Sequence, residues 1–127
     1  MKNSFVIPVE LTDLNTYISA ERSNRHIAAS LKKNNTEIVA RYCQDLELEK
    51  DAQYDVSIEW HTKDKRKDSD NVFFAGKFIF DGVVLAGKLS SDGYKHIRNI
   101  HNNRFIGNQK IVISFSEVKD EWGNVWA

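Results

Sequence analysis

Alternating apolar and polar residues give the clearest strand signal of the chain, at residues 54–62. Val56, Ile58 and Trp60 are apolar, and the residues between them are polar. This alternation is typical of a strand that buries one of its two faces. The pattern therefore predicts a half-buried strand.

Shorter apolar runs predict three further strands. Residues 4–10 predict one that ends near Pro8. Residues 95–105 and 109–118 predict two more, and the glycine-containing turn at 106–108 indicates that these two form an antiparallel hairpin.

Helical spacing of apolar residues accounts for much of the remaining chain. Thr12 or Asp13 can cap a short helix that ends near Glu21. A longer helix is predicted from about residue 24 to Leu46, with a break near residues 34–35. Its predicted core stripe has the spacing i, i+3, i+4, i+7 and consists of Val39, Tyr42, Cys43 and Leu46.

A third helix is predicted from about Asn71 to Ala86, and it is so apolar that most of its circumference should be buried. Lys77 and Asp81 are the charged residues within it. On a continuous helix they lie within about 40° of Asp70 around the axis. Because a buried unpaired charge is costly, either Lys77 pairs with Asp81 or both face a wet cleft.

These elements predict one α/β domain over residues 1–127. It has a small mixed sheet with an antiparallel C-terminal hairpin, packed against two to three helices. A chain of 127 residues with 41% hydrophobic content can bury one core of ordinary size. Residues 116–127, with Trp122 and Trp126, are expected to form a tail.

Two acidic motifs bracket the apolar helix. Residues 68–71 read Asp-Ser-Asp-Asn before it, and residues 90–93 read Ser-Ser-Asp-Gly after it. Each has an ordinary structural interpretation: Ser69 or Asp70 as a helix N-cap, and Asp92 as part of a turn. Neither interpretation excludes a catalytic role.

In this order and spacing the motifs resemble the RusA-like Holliday junction resolvases, small endonucleases of phages and prophages. The resemblance rests on D-x-D-N at residues 68–71, K-F-I-x-D-G at 77–82 and A-G-x-L-x-x-D-G at 86–93. An N-x-Y-x4-R pattern extends it over roughly residues 5–118; this pattern consists of Asn15, Tyr17 and Arg22.

The resemblance implies that Asp68, Asp70 and Asp92 are catalytic and bind Mg²⁺, with Mn²⁺ as a possible substitute. It also implies a catalytic lysine, for which Lys77 is the candidate. The family's lysine lies closer to the asparagine, about where Phe74 stands here. Oxygen ligands suit magnesium, which activates water for phosphodiester hydrolysis.

Net charge argues against a strongly basic nucleic-acid-binding domain. The chain has 18 basic and 18 acidic residues, and its isoelectric point of about 6.9 is low for such a domain. The basic residues are nevertheless clustered, which would let one face follow DNA phosphates. An ordinary solvated surface is the alternative. The predicted DNA contacts are Arg22, Arg25, Lys32, Lys33, Lys63, Lys65, Arg66, Lys67, Lys95 and Arg98.

Cysteine and histidine usage limits the other classes of site. The single cysteine, Cys43, excludes an internal disulfide and fits a reducing cytosol. His96 and His101 are five residues apart and would point to opposite faces of a strand, so structural zinc is not expected. No apolar run is long enough to span a bilayer. The family resemblance further implies a protein of the bacterial cytoplasm, encoded by a phage or prophage.

The sequence thus predicts a magnesium-dependent endodeoxyribonuclease that resolves four-way junctions by paired hydrolysis in DNA recombination and repair. The approximate two-fold symmetry of a junction favours a C2 homodimer with one site per protomer. Two alternatives remain open: a nuclease that prefers flaps or single strands, and a catalytically silent DNA-binding protein of the same fold.

Overall fold

A computed structural model describes residues 2–119, and the predicted α/β class is confirmed. Trp122 and Trp126 lie outside the described residues. None of the helices within 2–119 is both long and apolar enough to cross a membrane. The elements are β1 (Ser4–Ile7), α1 (Leu14–Ser23), α2 (Arg25–Tyr42), β2 (Tyr54–Thr62), α3 (Ser69–Phe73), α4 (Gly76–Leu85), β3 (Ile97–Ile106) and β4 (Lys110–Glu117).

The four strands form one mixed sheet in the order β1-β4-β2-β3. β2 is antiparallel to β4 and parallel to β3. Val56, Ile58 and Trp60 point from β2 into the core and are almost fully buried, as the alternation predicts. The polar residues between them point to the opposite face and are half-buried.

The predicted C-terminal hairpin is wrong, because β2 lies between β3 and β4. The connection at 107–109 crosses the end of β2, where the Gly107 amide donates to the Thr62 carbonyl at 2.8 Å. This arrangement sets the apolar residues of β4 beside those of β2 and hydrogen-bonds β2 on both edges. A local turn signal could not reveal that a third strand is inserted.

α2 continues through residues 34–35, where a break was predicted, because Asn35 is buried with partners for its amide. Its nitrogen donates to the Leu31 carbonyl at 2.7 Å and to Thr12 Oγ1 at 2.8 Å, and its oxygen accepts from the Thr12 amide at 2.9 Å. The helix ends at Tyr42, which is 37% exposed. The other residues of the predicted core stripe are buried: Val39, Cys43 and Leu46.

The apolar helix predicted from 71 to 86 is two helices, α3 and α4, with a break at 74–75. The break lets adjacent phenylalanines pack in different directions. Phe73 lies against Trp60 of β2, with ring centroids 5.9 Å apart, and Phe74 lies against Tyr17 of α1 at 5.4 Å. Lys77 is therefore not on one continuous helical stripe with Asp70.

We expect Gly82→Ala to destabilise the protein, because α2 and α4 touch at this glycine. A Cβ atom at position 82 would lie 2.4 Å from Val39 Cβ and 2.9 Å from the Thr36 carbonyl oxygen. Overpacking of this kind costs about 1–3 kcal/mol, which urea unfolding would measure. Gly76→Ala is the matched control, since its nearest neighbour is 4.0 Å away; equal losses for the two variants would contradict the close packing.

Candidate active site

Lys67 fixes the loop between β2 and α3 to the start of α1. Its ammonium lies 2.6 Å from a carboxylate oxygen of Asp13 and also binds the Glu10 carboxylate. Asp13 in turn caps α1 by accepting from the Thr16 amide at 2.8 Å. Lys67 is thus engaged within the protein and is a poor candidate for the predicted DNA contact.

The Lys67–Asp13 pair shifts both titrations in the direction that keeps the pair charged. Burial opposes ionisation of Asp13, but hydrogen bonds from Lys67 and Thr16 outweigh it and hold the pKa of Asp13 below its ordinary value. Hydrogen bonds to Asp13 and Glu10 raise the pKa of Lys67. The pair therefore stabilises the fold at neutral pH.

Arg104 holds the same loop from the other side. It extends from β3 and donates to Thr62 Oγ1 at 3.1 Å, to the Asp64 carbonyl at 3.2 Å and to Ser69 Oγ at 3.3 Å. It also donates to the Lys67 carbonyl. Sequence reasoning missed this role, because the predicted hairpin kept β3 away from the end of β2.

Asn71 connects the two parts of the sequence that carry the family resemblance. Its side chain is buried, and its oxygen accepts from the Asn15 amide at 2.9 Å. Tyr17, two residues after Asn15, packs against Phe74. The N-x-Y pattern of α1 and the D-x-D-N motif therefore lie in direct contact.

Asp68 and Asp70 lie at the start of α3, on the segment that these contacts hold. Both are exposed. Asp68 occupies the N-cap position without a side-chain capping bond, and Asp70 accepts from the amide of Asn71 at 2.9 Å. Within residues 2–119 neither carboxylate pairs with a cation. Capping by Ser69 or Asp70, the ordinary interpretation, is not found, because both residues are inside the helix.

Lys77 lies in the first turn of α4 and is exposed. In the described part of the chain it forms no ion pair, with Asp81 or with any other acid. The intrahelical pair considered from the sequence is therefore absent there. Its ammonium group is available to an external anion.

Asp92 lies at the other end of the sheet. The segment around it is bound to the start of β2: the Ser90 hydroxyl donates to Asp51 at 3.0 Å, and the Tyr54 amide donates to the His96 carbonyl at 2.8 Å. Asp68, by contrast, follows the end of β2. The nine residues of β2 span roughly 25–30 Å, so one chain does not bring Asp92 to Asp68.

The resemblance implies that Asp68, Asp70 and Asp92 bind Mg²⁺ together, but a single chain does not bring the three carboxylates together. α4 runs back along β2, and the parallel strand β3 begins where β2 begins. Among residues 2–119, no three His, Cys, Asp or Glu side chains lie close enough together to hold a metal ion. The oxygen donors of Asp68 and Asp70 suit magnesium, and Asp92 of the same chain does not join them.

The predicted DNA contacts divide into paired and unpaired groups. Lys67 is paired as described, Arg66 lies 3.4 Å from Asp64, and Arg98 lies 2.6 Å from Asp55. The others are exposed and form no ion pair with a described residue. These are Arg22, Arg25, Lys32, Lys33, Lys63, Lys65 and Lys95.

No protein-family model and no curated protein matches the chain. The resemblance to the RusA-like resolvases accordingly remains an expectation from the motifs.

We expect Asp13→Asn to remove the acid-sensitive part of the stability. A carboxyl whose pKa is lowered by folding stabilises the protein above its unfolded pKa, and this contribution disappears as the pH falls through the folded value. Asn can still cap α1, so the charge pair alone is lost. Because Lys67 is partly exposed, the loss at pH 7 should be only about 1 kcal/mol.

Urea unfolding between pH 7 and pH 2.5 would measure this difference. The gap between wild type and Asp13→Asn should close below the ordinary pKa of 3.8. Glu10→Gln, which alters the more exposed partner of Lys67, should have a smaller effect. A gap that persists unchanged at pH 2.5 would show that the substitution acts through packing and not through charge.

Proposed function

We propose that this protein is a magnesium-dependent endonuclease that cuts branched DNA, with four-way junctions as its substrate. The observation that carries the proposal is the pair Asp68 and Asp70, two exposed carboxylates without a cation partner in the described chain. They stand on a segment that Lys67 and Arg104 hold in place. Magnesium is commonly held by one or two carboxylates together with substrate phosphates and water.

Asp92 would complete the site from a second copy of the chain. It is exposed and lies in a turn where the Ser91 hydroxyl and His96 Nδ1 are 2.8 Å apart. In its own chain it lies at the wrong end of the sheet. A junction has approximate two-fold symmetry, so a C2 dimer would place one such shared site on each of two strands.

The remaining residues have roles that follow from their charge and position. Magnesium, when bound, would polarise the scissile phosphate and supply a hydroxide for attack. Lys77, on the helix after the aspartates, would offset negative charge that develops on the phosphate oxygens. Lys63 and Lys65, on the loop before Asp68, would contact flanking phosphates, as would Arg22 and the other unpaired basic residues.

We expect Asp70→Asn to lose junction cleavage by roughly 100-fold or more while it retains junction binding, because a ligand to the reactive metal is removed. A labelled synthetic four-way junction, titrated with Mg²⁺, would measure both. Asp45→Asn is the matched control, since Asp45 is also exposed but pairs with Lys2 at 3.7 Å, outside the site.

The outcomes separate the proposal from its rivals. Equal loss of binding and cleavage in Asp70→Asn would assign Asp70 a structural role. Preferred cutting of flap or single-stranded DNA would identify a different nuclease. Wild-type protein that binds a junction and never nicks it, at any Mg²⁺ concentration, would be a silent DNA-binding protein.

We expect an equimolar mixture of inactive Asp70→Asn and Asp92→Asn chains to regain activity. If Asp92 acts across the dimer, each mixed dimer has one intact site. Random exchange makes half of the dimers mixed, so about a quarter of the wild-type nicking should return. The Asp70→Asn and Asp68→Asn mixture is the control and should remain inactive, because both changes affect the same half-site. A first mixture as inactive as the control would place all three aspartates in one chain.

A further inference from the structure

The β3 strand forms one edge of the sheet and is built unlike an ordinary edge. It is ten residues long and pairs with β2 on one side, and no strand of residues 2–119 pairs with its other side. Natural edges are commonly protected by short length, proline, lysine or a bulge. β1, the opposite edge, has four residues and is followed by Pro8. β3 has neither proline nor lysine. It carries two arginines, Arg98 and Arg104, and a register shift at its start, after which its pairing is regular from Asn99 to Ile106.

Large apolar side chains are exposed along the β3 edge strand. Ile100 is 47%, Phe105 46% and Ile106 50% exposed. Ile100 and Ile106 share the helix side of the sheet with Asn102, which accepts a hydrogen bond from Trp60. Phe105 lies on the other side, where its ring stacks on His61. A single exposed apolar residue is ordinary, but three on one strand whose outer edge has no partner among residues 2–119 indicate an interface.

We propose that β3 pairs antiparallel with β3 of a second copy, about a two-fold axis at Asn103. Directly opposed residues of antiparallel strands point to the same face. In this register Ile100 is opposite Ile106 of the second copy on the helix side. His101 is opposite Phe105 of the second copy on the other side. Every exposed apolar residue of the strand thereby gains a neighbour that covers it.

Neighbouring registers are less favourable. An axis at His101 would set Arg98 opposite Arg104, which places like charges together. An axis at Asn102 would leave Ile106 opposite Arg98 and Phe105 opposite Asn99. The axis at Asn103 opposes no like charges, because Arg104 faces Asn102. This self-complementarity is the reason to assign the edge to a second copy and not to a foreign strand.

The pairing would join two four-stranded sheets into one continuous sheet with the helices of both copies on the same side. Because the strands are antiparallel, β3 of the second copy would begin beyond the end of this copy's β3. Its Asp92 would then lie at the end of the sheet where Asp68 and Asp70 stand. This last step rests on the proposed function; the interface itself does not.

Cysteine cross-linking tests the interface. Asn103 is exposed, and across the axis the two Cα atoms at this position would be about 4.5–5.5 Å apart, within reach of a disulfide. The matched control is His101→Cys, on the same exposed face. Its two Cα atoms would be about 14 Å apart, too far to link. Cys43 is common to both variants, is buried, and has a thiol whose pKa burial raises.

Under mild oxidation we expect Asn103→Cys to form a covalent dimer and His101→Cys to remain unlinked. Ile100→Lys should raise the dimer dissociation constant by roughly tenfold or more in sedimentation equilibrium. Ile27→Lys, which alters an isoleucine of α2 that is 50% exposed, should not. Three results would overturn the proposed interface. The wild type could be monomeric, the Asn103→Cys variant could be a dimer that does not cross-link, or the two cysteine variants could cross-link equally. A linked dimer that never nicks DNA would remove the proposed function and leave the interface intact.

Discussion

The burial of β2 between β3 and β4 is the constraint on which the rest of the structure depends. Val56 and Ile58 are completely buried, and Trp60 nearly so. A strand this apolar is most stable with neighbours on both edges and helices over one face. Because β3 joins it in parallel, the chain between them must return along the sheet, and α4 makes that return. The directions of these elements then decide which end of the sheet receives each acidic motif.

The contacts at the end of β2 explain how a chain of zero formal net charge can present exposed carboxylates without a cation partner. Lys67 forms ion pairs with Asp13 and Glu10, and Arg104 donates hydrogen bonds to carbonyl and hydroxyl groups of the loop. These cations fix the backbone and do not neutralise Asp68 or Asp70. Net charge is therefore a poor guide to such a site. A better guide is which charged side chains remain without an ion-pair partner when the other charges pair within the folded chain.

Periodicity predicted the local elements well where one face of an element is buried. The alternation of β2 predicted its bounds, and the cap predicted at Thr12 or Asp13 is found at Asp13, where α1 starts. The same reasoning failed where tertiary contacts determine the local structure. Asn35 looked like a helix breaker and is a buried hydrogen-bonding residue of α2. The turn near Gly107 looked like a hairpin because sequence separation does not show that β2 is inserted between the two strands.

The sequence predicted which residues belong to the candidate site but not how these residues lie relative to one another in the fold. The D-x-D-N motif identified Asp68 and Asp70, whereas Arg104 became visible only through the parallel pairing of β3. That pairing also explains the position of Asp92. In a strand–helix–strand unit with parallel strands, the residues after the first strand and those before the second lie at opposite ends of the sheet. A site that needs acids from both ends cannot close within one such unit. In this fold the proposed shared site and the unpaired edge of β3 are therefore linked, because two chains paired at β3 would bring together the acids that the topology separates in one chain.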